Sequence, residues 1–244
     1  LSNTQPTLLL TNDDGWDAPG IEALRQAADG FGVCRIVAPL GPVSGCGHRV
    51  TTHGPIAVSE PVPDCLAVDG TPADCVRLAL HHLVPGVAWV FSGINAGGNL
   101  GTDIHHSGTV AAVREAALYG IPGIAISHYI ARGRKIDWPL ATRWTSQVLK
   151  RLVQMPCEPG SFWNVNLPHL SSDEPEPEMI FCSVDPSPLP LNYRVSEGQA
   201  TYAGDYQSRA RKAHADVDVC FSGRIAVSLV RAFDSVSTPR VMAT

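Results

Sequence analysis

Apolar runs alternating with amphipathic stretches divide the first two thirds of the chain into strand-like and helix-like segments. Thr7 to Thr11 is a short apolar run and reads as a buried strand. Asp17-Ala18-Pro19-Gly20 opens a helix expected to reach about Gly30, with Pro19 in its first turn and Ile21, Leu24 and Ala28 on one face. Val33 to Ala38 is the second strand, and residues 41–54, rich in Gly, Ser and His, read as a loop. Pro55 to Ser59 and Cys65 to Val68 read as a strand pair that turns at Pro61-Val62-Pro63-Asp64. Thr71-Pro72-Ala73-Asp74 pairs a Thr cap with an acid three residues on, so a helix is expected from there to about Leu83. Val87 to Phe91 is the next strand, followed by a glycine-rich loop to His106. Ser107 caps a helix over Gly108 to Tyr119; the strand Gly123 to Ser127, the amphipathic helix Trp138 to Val153 and the strand Phe162 to Asn166 follow.

At Ser171-Ser172-Asp173-Glu174-Pro175-Glu176-Pro177-Glu178 the pattern gives way to a polar, proline-rich connector. Hairpin segments are expected around Met179 to Ser183 and Thr201 to Tyr206, then a last strand from Arg224 to Val230. The tail, Phe233 to Thr244, lacks the apolar periodicity of a helix. The β–α alternation predicts an α/β fold, a Rossmann-like three-layer core with a mostly parallel sheet and a C-terminal β-hairpin extension. The core, with the active site, is expected over residues 1–170; residues 171–244 form a β-rich extension and tail of the same domain, suited to oligomerisation.

Composition narrows the function. In 244 residues, 44% hydrophobic and 17% charged content describe a well-cored globular protein. The net charge of −5 argues against polymeric nucleic acid as a main partner, though a local cation can still recruit a small anion. No apolar run approaches a membrane span and no signal-like segment opens the chain, so no membrane partner is expected. The seven cysteines lack any C-x-x-C pair, which reads as reduced thiols in a cytoplasmic protein and excludes a cysteine zinc site.

Two stretches carry chemistry. Thr11-Asn12-Asp13-Asp14-Gly15 places adjacent carboxylates at the carboxyl end of the first strand, where open α/β sheets bind ligands. Adjacent acids repel; the pair fits either an exposed turn or a hard divalent cation. Ser92-Gly93-Ile94-Asn95-Ala96-Gly97-Gly98-Asn99-Leu100-Gly101-Thr102-Asp103 has the backbone freedom to cradle an anion, and Ser107-Gly108-Thr109 supplies a helix N-terminus that favours phosphate. Their convergence on strand ends of one sheet favours a metal-plus-phosphate site. An aspartyl-phosphate mechanism fails because Gly15 and Trp16 stand where its general acid is needed. A serine hydrolase fails for want of a G-x-S-x-G elbow.

These motifs, together with Ala18-Pro19-Gly20-Ile21, Val37-Ala38-Pro39, Ser44-Gly45, Gly70-Thr71-Pro72-Ala73-Asp74-Cys75-Val76 and Ser107-Gly108-Thr109-Val110-Ala111-Ala112, resemble the SurE family of 5'/3'-nucleotidases, in order and spacing over about residues 7–130. The resemblance implies a divalent-metal-dependent phosphomonoesterase acting on nucleoside monophosphates, for which in-line attack of a metal-bound water is the expected mechanism. It implies one divalent ion per subunit, Mg²⁺ or Mn²⁺, held by Asp13, Asp14, Ser44 and Asn95, with Asp13 and Asp14 also catalytic. Asn12, Gly45, His48, Gly97, Asn99, Ser107, Gly108 and Thr109 are the expected phosphate or substrate contacts, Asn12 by orienting the acids. His106 stands where the family usually has tyrosine, and Trp16 is placed either to stack a base or to fill the core. The resemblance also implies a homodimer or homotetramer. The alternative is a non-catalytic nucleotide- or phosphate-binding protein on the same fold.

Overall fold

The computed structural model describes residues 5–234. Eleven strands are present among these residues: β1 (Thr7–Thr11), β2 (Val33–Pro39), β3 (Val58–Val62), β4 (Cys65–Val68), β5 (Val87–Ala96), β6 (Gly123–His128), β7 (Ser161–Leu167), β8 (Met179–Phe181), β9 (Tyr193–Ser196), β10 (Gln199–Tyr202) and β11 (Ile225–Arg231). The α-helices are α1 (Pro19–Ala27), α2 (Pro72–Leu78), α3 (Gly108–Leu118), α4 (Trp138–Leu152) and α5 (Asp216–Phe221). Nine strands form one sheet in the order β3-β4-β2-β1-β5-β6-β7-β11-β8. The six strands from β4 to β7 are parallel; β3 pairs antiparallel with β4 at one edge, and β11 pairs antiparallel with β7.

Both faces of the middle of this sheet are buried, as the apolar runs require, while the edge strand β3 is exposed. In β1, Leu8 and Leu10 pack with Leu24 of α1 and Trp144 and Leu149 of α4, whereas Leu9 packs on the other side with Val76 of α2 and Val113 of α3. The period-2 alternation of a strand thus feeds two helical layers from one segment. The expected α/β class and mostly parallel sheet are observed, with β9 and β10 as a separate hairpin.

Several boundaries differ for identifiable reasons. The strand expected to stop at Phe91 continues to Ala96, because Gly93 lets β5 lie against β6: a Cβ there would stand 2.2 Å from the Ile126 carbonyl oxygen. The helix expected to Leu83 is α-helical only to Leu78 and finishes as a π turn, with Val84 N–H donating to Ala79 five residues back. The strand expected at Pro55–Ser59 lies at Val58–Val62, where Pro61 is tolerated because the strand is an edge. Met179–Phe181 is not a hairpin arm; it extends the main sheet, parallel to β11. The hairpin is instead Tyr193–Ser196 with Gln199–Tyr202, turning at Glu197 and Gly198, both at positive φ. The core does not close at residue 170, since Ile225 and Val227 of β11 belong to its main cluster. α5 was not anticipated. The reading of the tail falls largely on residues 235–244, outside the described residues.

His128, at the end of β6, is 2% exposed, stacked on Trp144, with its Nδ1 bonded to the Tyr129 carbonyl. Burial depresses its pKa to about 4. The unfolded chain therefore takes up this proton first, and stability falls as pH drops from about 6.5 to 4, by about 3 kcal/mol from this group. Urea unfolding across that window should show the loss in the parent protein and a flatter profile in His128→Asn, which keeps an N–H donor without the titration.

Candidate active site

The chain leaves β1 for β2, β4 and β3 on one side and returns to β5 on the other, so strand order reverses at β1. The crevice beyond the carboxyl ends of β1 and β5 is where such sheets bind ligands. Asp13 and Asp14 follow β1 directly, and Asn95 lies at the end of β5. The loop after β2 folds back over the same point, with Val43 N–H donating to the Asp13 carbonyl at 2.8 Å, and this brings in Ser44. α3 starts here too. Its first residue, Gly108, presses so closely that a Cβ would stand 2.9 Å from both Asp13 Cβ and Cys46 Sγ. The resulting cavity, about 290 Å³, is lined by Asp13, Asp14, Ser44, Gly45, Asn95, Asn99 and Ser107, among others.

The acids differ in setting. Asp13 is 4% exposed; its Oδ1 accepts the Thr109 hydroxyl at 2.5 Å, and Thr109 N–H also points at it. Asp14 is half-buried and accepts from Ala96 N–H at 3.3 Å. Burial raises the pKa of both, and the Asp14 charge adds to the rise at Asp13. A cation between them would reverse that penalty. Asn95 spends its amide N–H on the Gly97 carbonyl at 2.8 Å, which leaves its Oδ1 available, and the Ser44 hydroxyl has no partner among the described residues. Two carboxylates and two neutral oxygens around one small cavity are a donor set that fits Mg²⁺ or Mn²⁺ with room for water or phosphate oxygens. No group of three or more His, Cys, Asp or Glu suited to a metal occurs among the described residues, which leaves this mixed oxygen set.

The side of the cavity facing the acids is built from the start of α3. Ser107 Oγ caps Val110 N–H at 3.0 Å, Thr109 is turned to Asp13, and Gly108 N–H has no partner among the described residues. A helix start with a free amide beside a cation position suits an anion. Asn99 lines the cavity, with its amide on Ser127 Oγ at 2.7 Å and its backbone held by Asn164 and Asn166 of β7.

Other expected contacts fall elsewhere. Asn12 is fully buried and uses both ends of its amide on Gly15, so it shapes the turn that carries the acids. Gly97 is tied to Asn95 on both its N–H and carbonyl. His48 turns away toward α3, with Nε2 2.7 Å from Glu115, which also holds Arg77. Trp16 lines a different pocket, of about 450 Å³, with Ile21 and Val62, so it is not placed to stack a base in the acid-pair cavity. His106 does line the cavity. So do Asp103 and Leu189, which sequence reasoning missed. In sequence Asp103 stands only as the end of a glycine loop, and Leu189 sits in a segment without any pattern.

The family described as survival protein SurE matches residues 8–184. The chain belongs to the SurE family. A relative in Nostoc sp. is 52% identical over 225 residues, covering 92% of this chain and 99% of its own length. A protein of Geobacter sulfurreducens named 5'-nucleotidase SurE is 39% identical over 201 residues, covering 81% of this chain and 70% of its own. The crystal structure of the SurE protein from Aquifex aeolicus superposes with a TM-score of 0.81 at 30% identity, over 97% of each chain. That coverage takes in the extension as well as the sheet.

The fit of α3 onto Asp13 yields a test. Gly108→Ala forces the helix start away from the acid turn and should cost about 1–3 kcal/mol by overpacking, seen as a lowered thermal midpoint. The same change at Gly120, whose Cβ would meet nothing within 4 Å, should not show a steric penalty of that kind, only the strain of its positive φ.

Proposed function

We propose that this protein is a divalent-metal-dependent phosphomonoesterase that hydrolyses nucleoside monophosphates to nucleoside and phosphate. The observation that carries the reading is the meeting of a buried acid pair and the open start of α3 in one cavity. SurE relatives named as 5'-nucleotidases support it. Asp13, Asp14, Ser44 and Asn95 would hold the ion. When bound, Mg²⁺ or Mn²⁺ would neutralise charge on the transferring phosphoryl group and acidify water. The chain's own groups do the rest. Gly108 N–H and Ser107 orient the phosphate, with the helix dipole favouring its negative charge. Asp13, fixed by Thr109, serves as the rigid ligand. Asp14, the less buried of the pair, would take a proton from the attacking water. No observation favours a non-catalytic binding protein on the same fold.

Phosphate release from nucleoside monophosphates and para-nitrophenyl phosphate should stop after EDTA and return with Mg²⁺ or Mn²⁺. Asp13→Asn should lower the restored kcat by about a hundredfold or more, the scale for removing one charge-stabilising group from a site. Turnover that survives complete metal removal would sink the reading.

The partners follow from the same reading: a small nucleotide substrate, without polymeric nucleic acid. No helix among the described residues is long and apolar enough to cross a membrane. For assembly we infer a homodimer or homotetramer joined through the β9–β10 hairpin. An isolated hairpin is marginal in water. This one carries Tyr193, Val195 and Tyr202 at 57%, 75% and 47% exposure, with Leu191 just before it at 82%, an apolar surface suited to a second copy. Light scattering should give at least twice the 26.0 kDa chain mass, and Leu191→Asp with Val195→Asp should shift it toward the monomer.

A further inference from the structure

The cavity holds one carboxylate that neither the cation nor the phosphate accounts for. Asp103 lies one turn before α3, and its carbonyl accepts Ser107 N–H at 3.1 Å. Its Oδ2 is occupied twice, by the Tyr206 hydroxyl at 2.6 Å and by Arg209 Nη1 at 2.8 Å. Tyr206 and Arg209 come from the extension; the Arg209 side chain is fully buried and its Nη1 also reaches the Leu100 carbonyl. These two donors fix the carboxylate from behind. Its Oδ1 has no partner among the described residues and is not a closed-off atom, since 12% of the Asp103 side chain remains exposed. The cavity is where that exposure opens, beside Asn99, His106 and Ser107.

A carboxylate paired with an arginine accepts hydrogen bonds and donates none. Beside a phosphate dianion it would be repelled, and its charge is already met by Arg209, so it is not free for a cation. What suits a fixed, charged acceptor one helical turn from a phosphate position is a neutral donor on the same substrate. In a nucleoside monophosphate those donors are the sugar hydroxyls. We propose that Asp103 is a specificity-determining residue whose Oδ1 accepts a hydrogen bond from a ribose hydroxyl, so that the extension, through Tyr206 and Arg209, sets the preference for ribonucleotides. This rests on the nucleotidase reading above.

The test is the ratio of kcat/KM for a ribonucleoside 5'-monophosphate to that for its 2',3'-dideoxy counterpart, with one base throughout and Mn²⁺ present. The parent protein should favour the ribonucleotide by about tenfold or more, the scale of a hydrogen bond to a charged group. Asp103→Ala should bring the ratio close to one. A parent ratio near one overturns the proposal, as does an Asp103→Ala enzyme that is slower on both substrates with the ratio intact, the signature of a purely structural role. Should Asp103→Ala not fold, Asp103→Asn is read in its place: it keeps an oxygen for Tyr206 and Arg209 but removes the charged acceptor, and the ratio should fall. Turnover of para-nitrophenyl phosphate, which has no sugar, separates the two levels. Its absence in the parent protein defeats the phosphatase reading, whereas its presence with a flat sugar ratio defeats only the role of Asp103.

Discussion

Asp13 takes a carboxylate almost wholly out of water at the end of the central strand, and the geometry around it follows from accommodating that charge. Leaving such a group without partners would be far more costly than any single packing contact. Its Oδ1 has the Thr109 hydroxyl, its backbone carbonyl has Val43 N–H, and the start of α3 lies against its Cβ. Each of these bonds recruits a different part of the chain. The Val43 bond carries the loop with Ser44, and the Thr109 bond carries the helix whose first amides face the cavity. The acid pair is thus the point where the loop after β2 and the helix after β5 are brought into register, as well as a pair of candidate ligands.

The same two segments are joined a second time, farther from the cavity. Glu115, on the third turn of α3 and 2% exposed, holds His48 of the loop at 2.7 Å and Arg77 of α2 at 3.0 Å. Removing one partner of a buried charge costs more than the intact pair contributes, because the remaining charge is stranded. The loop is therefore held at two points, by Asp13 near Ser44 and by Glu115 at His48. This explains how a glycine-rich segment without regular secondary structure can present Ser44 at a defined place. His48 does its work on the loop, a role that its distance of four residues from Ser44 could not reveal.

What was legible in the sequence was local. The acids at a strand end, the Thr71 capping box and the Ser107 cap are read within four residues, and the structure forms each as expected. The glycine loop signalled a close backbone approach but not that its first part stays in the sheet, since the strand runs on only because β6 leaves no room for a side chain at Gly93. The Met179–Phe181 strand could not be assigned from its own three residues, because its partner, β11, lies more than forty positions on. The bonds that decide His48 and Asp103 span 67 and 106 residues. No periodicity encodes pairs that far apart; they exist only once the sheet has placed their elements.

The extension shows what such long-range bonds accomplish. Buried Asp216 accepts from Gly101 N–H at 2.8 Å and from Asp185 N–H, while Asp185 in turn accepts from Ser187 and Lys212 N–H. Burial raises the Asp216 pKa, and the three amides bonded to it work in the opposite direction. This network grips the backbone of the glycine loop at Gly101, two residues from Asp103. A loop built for freedom is thereby fixed by a part of the chain with little regular structure of its own. The first half of the protein supplies the charges of the site. The second half fixes the glycine-loop side of the cavity, and a substitution in the extension that leaves the acid pair intact can still change what the cavity admits.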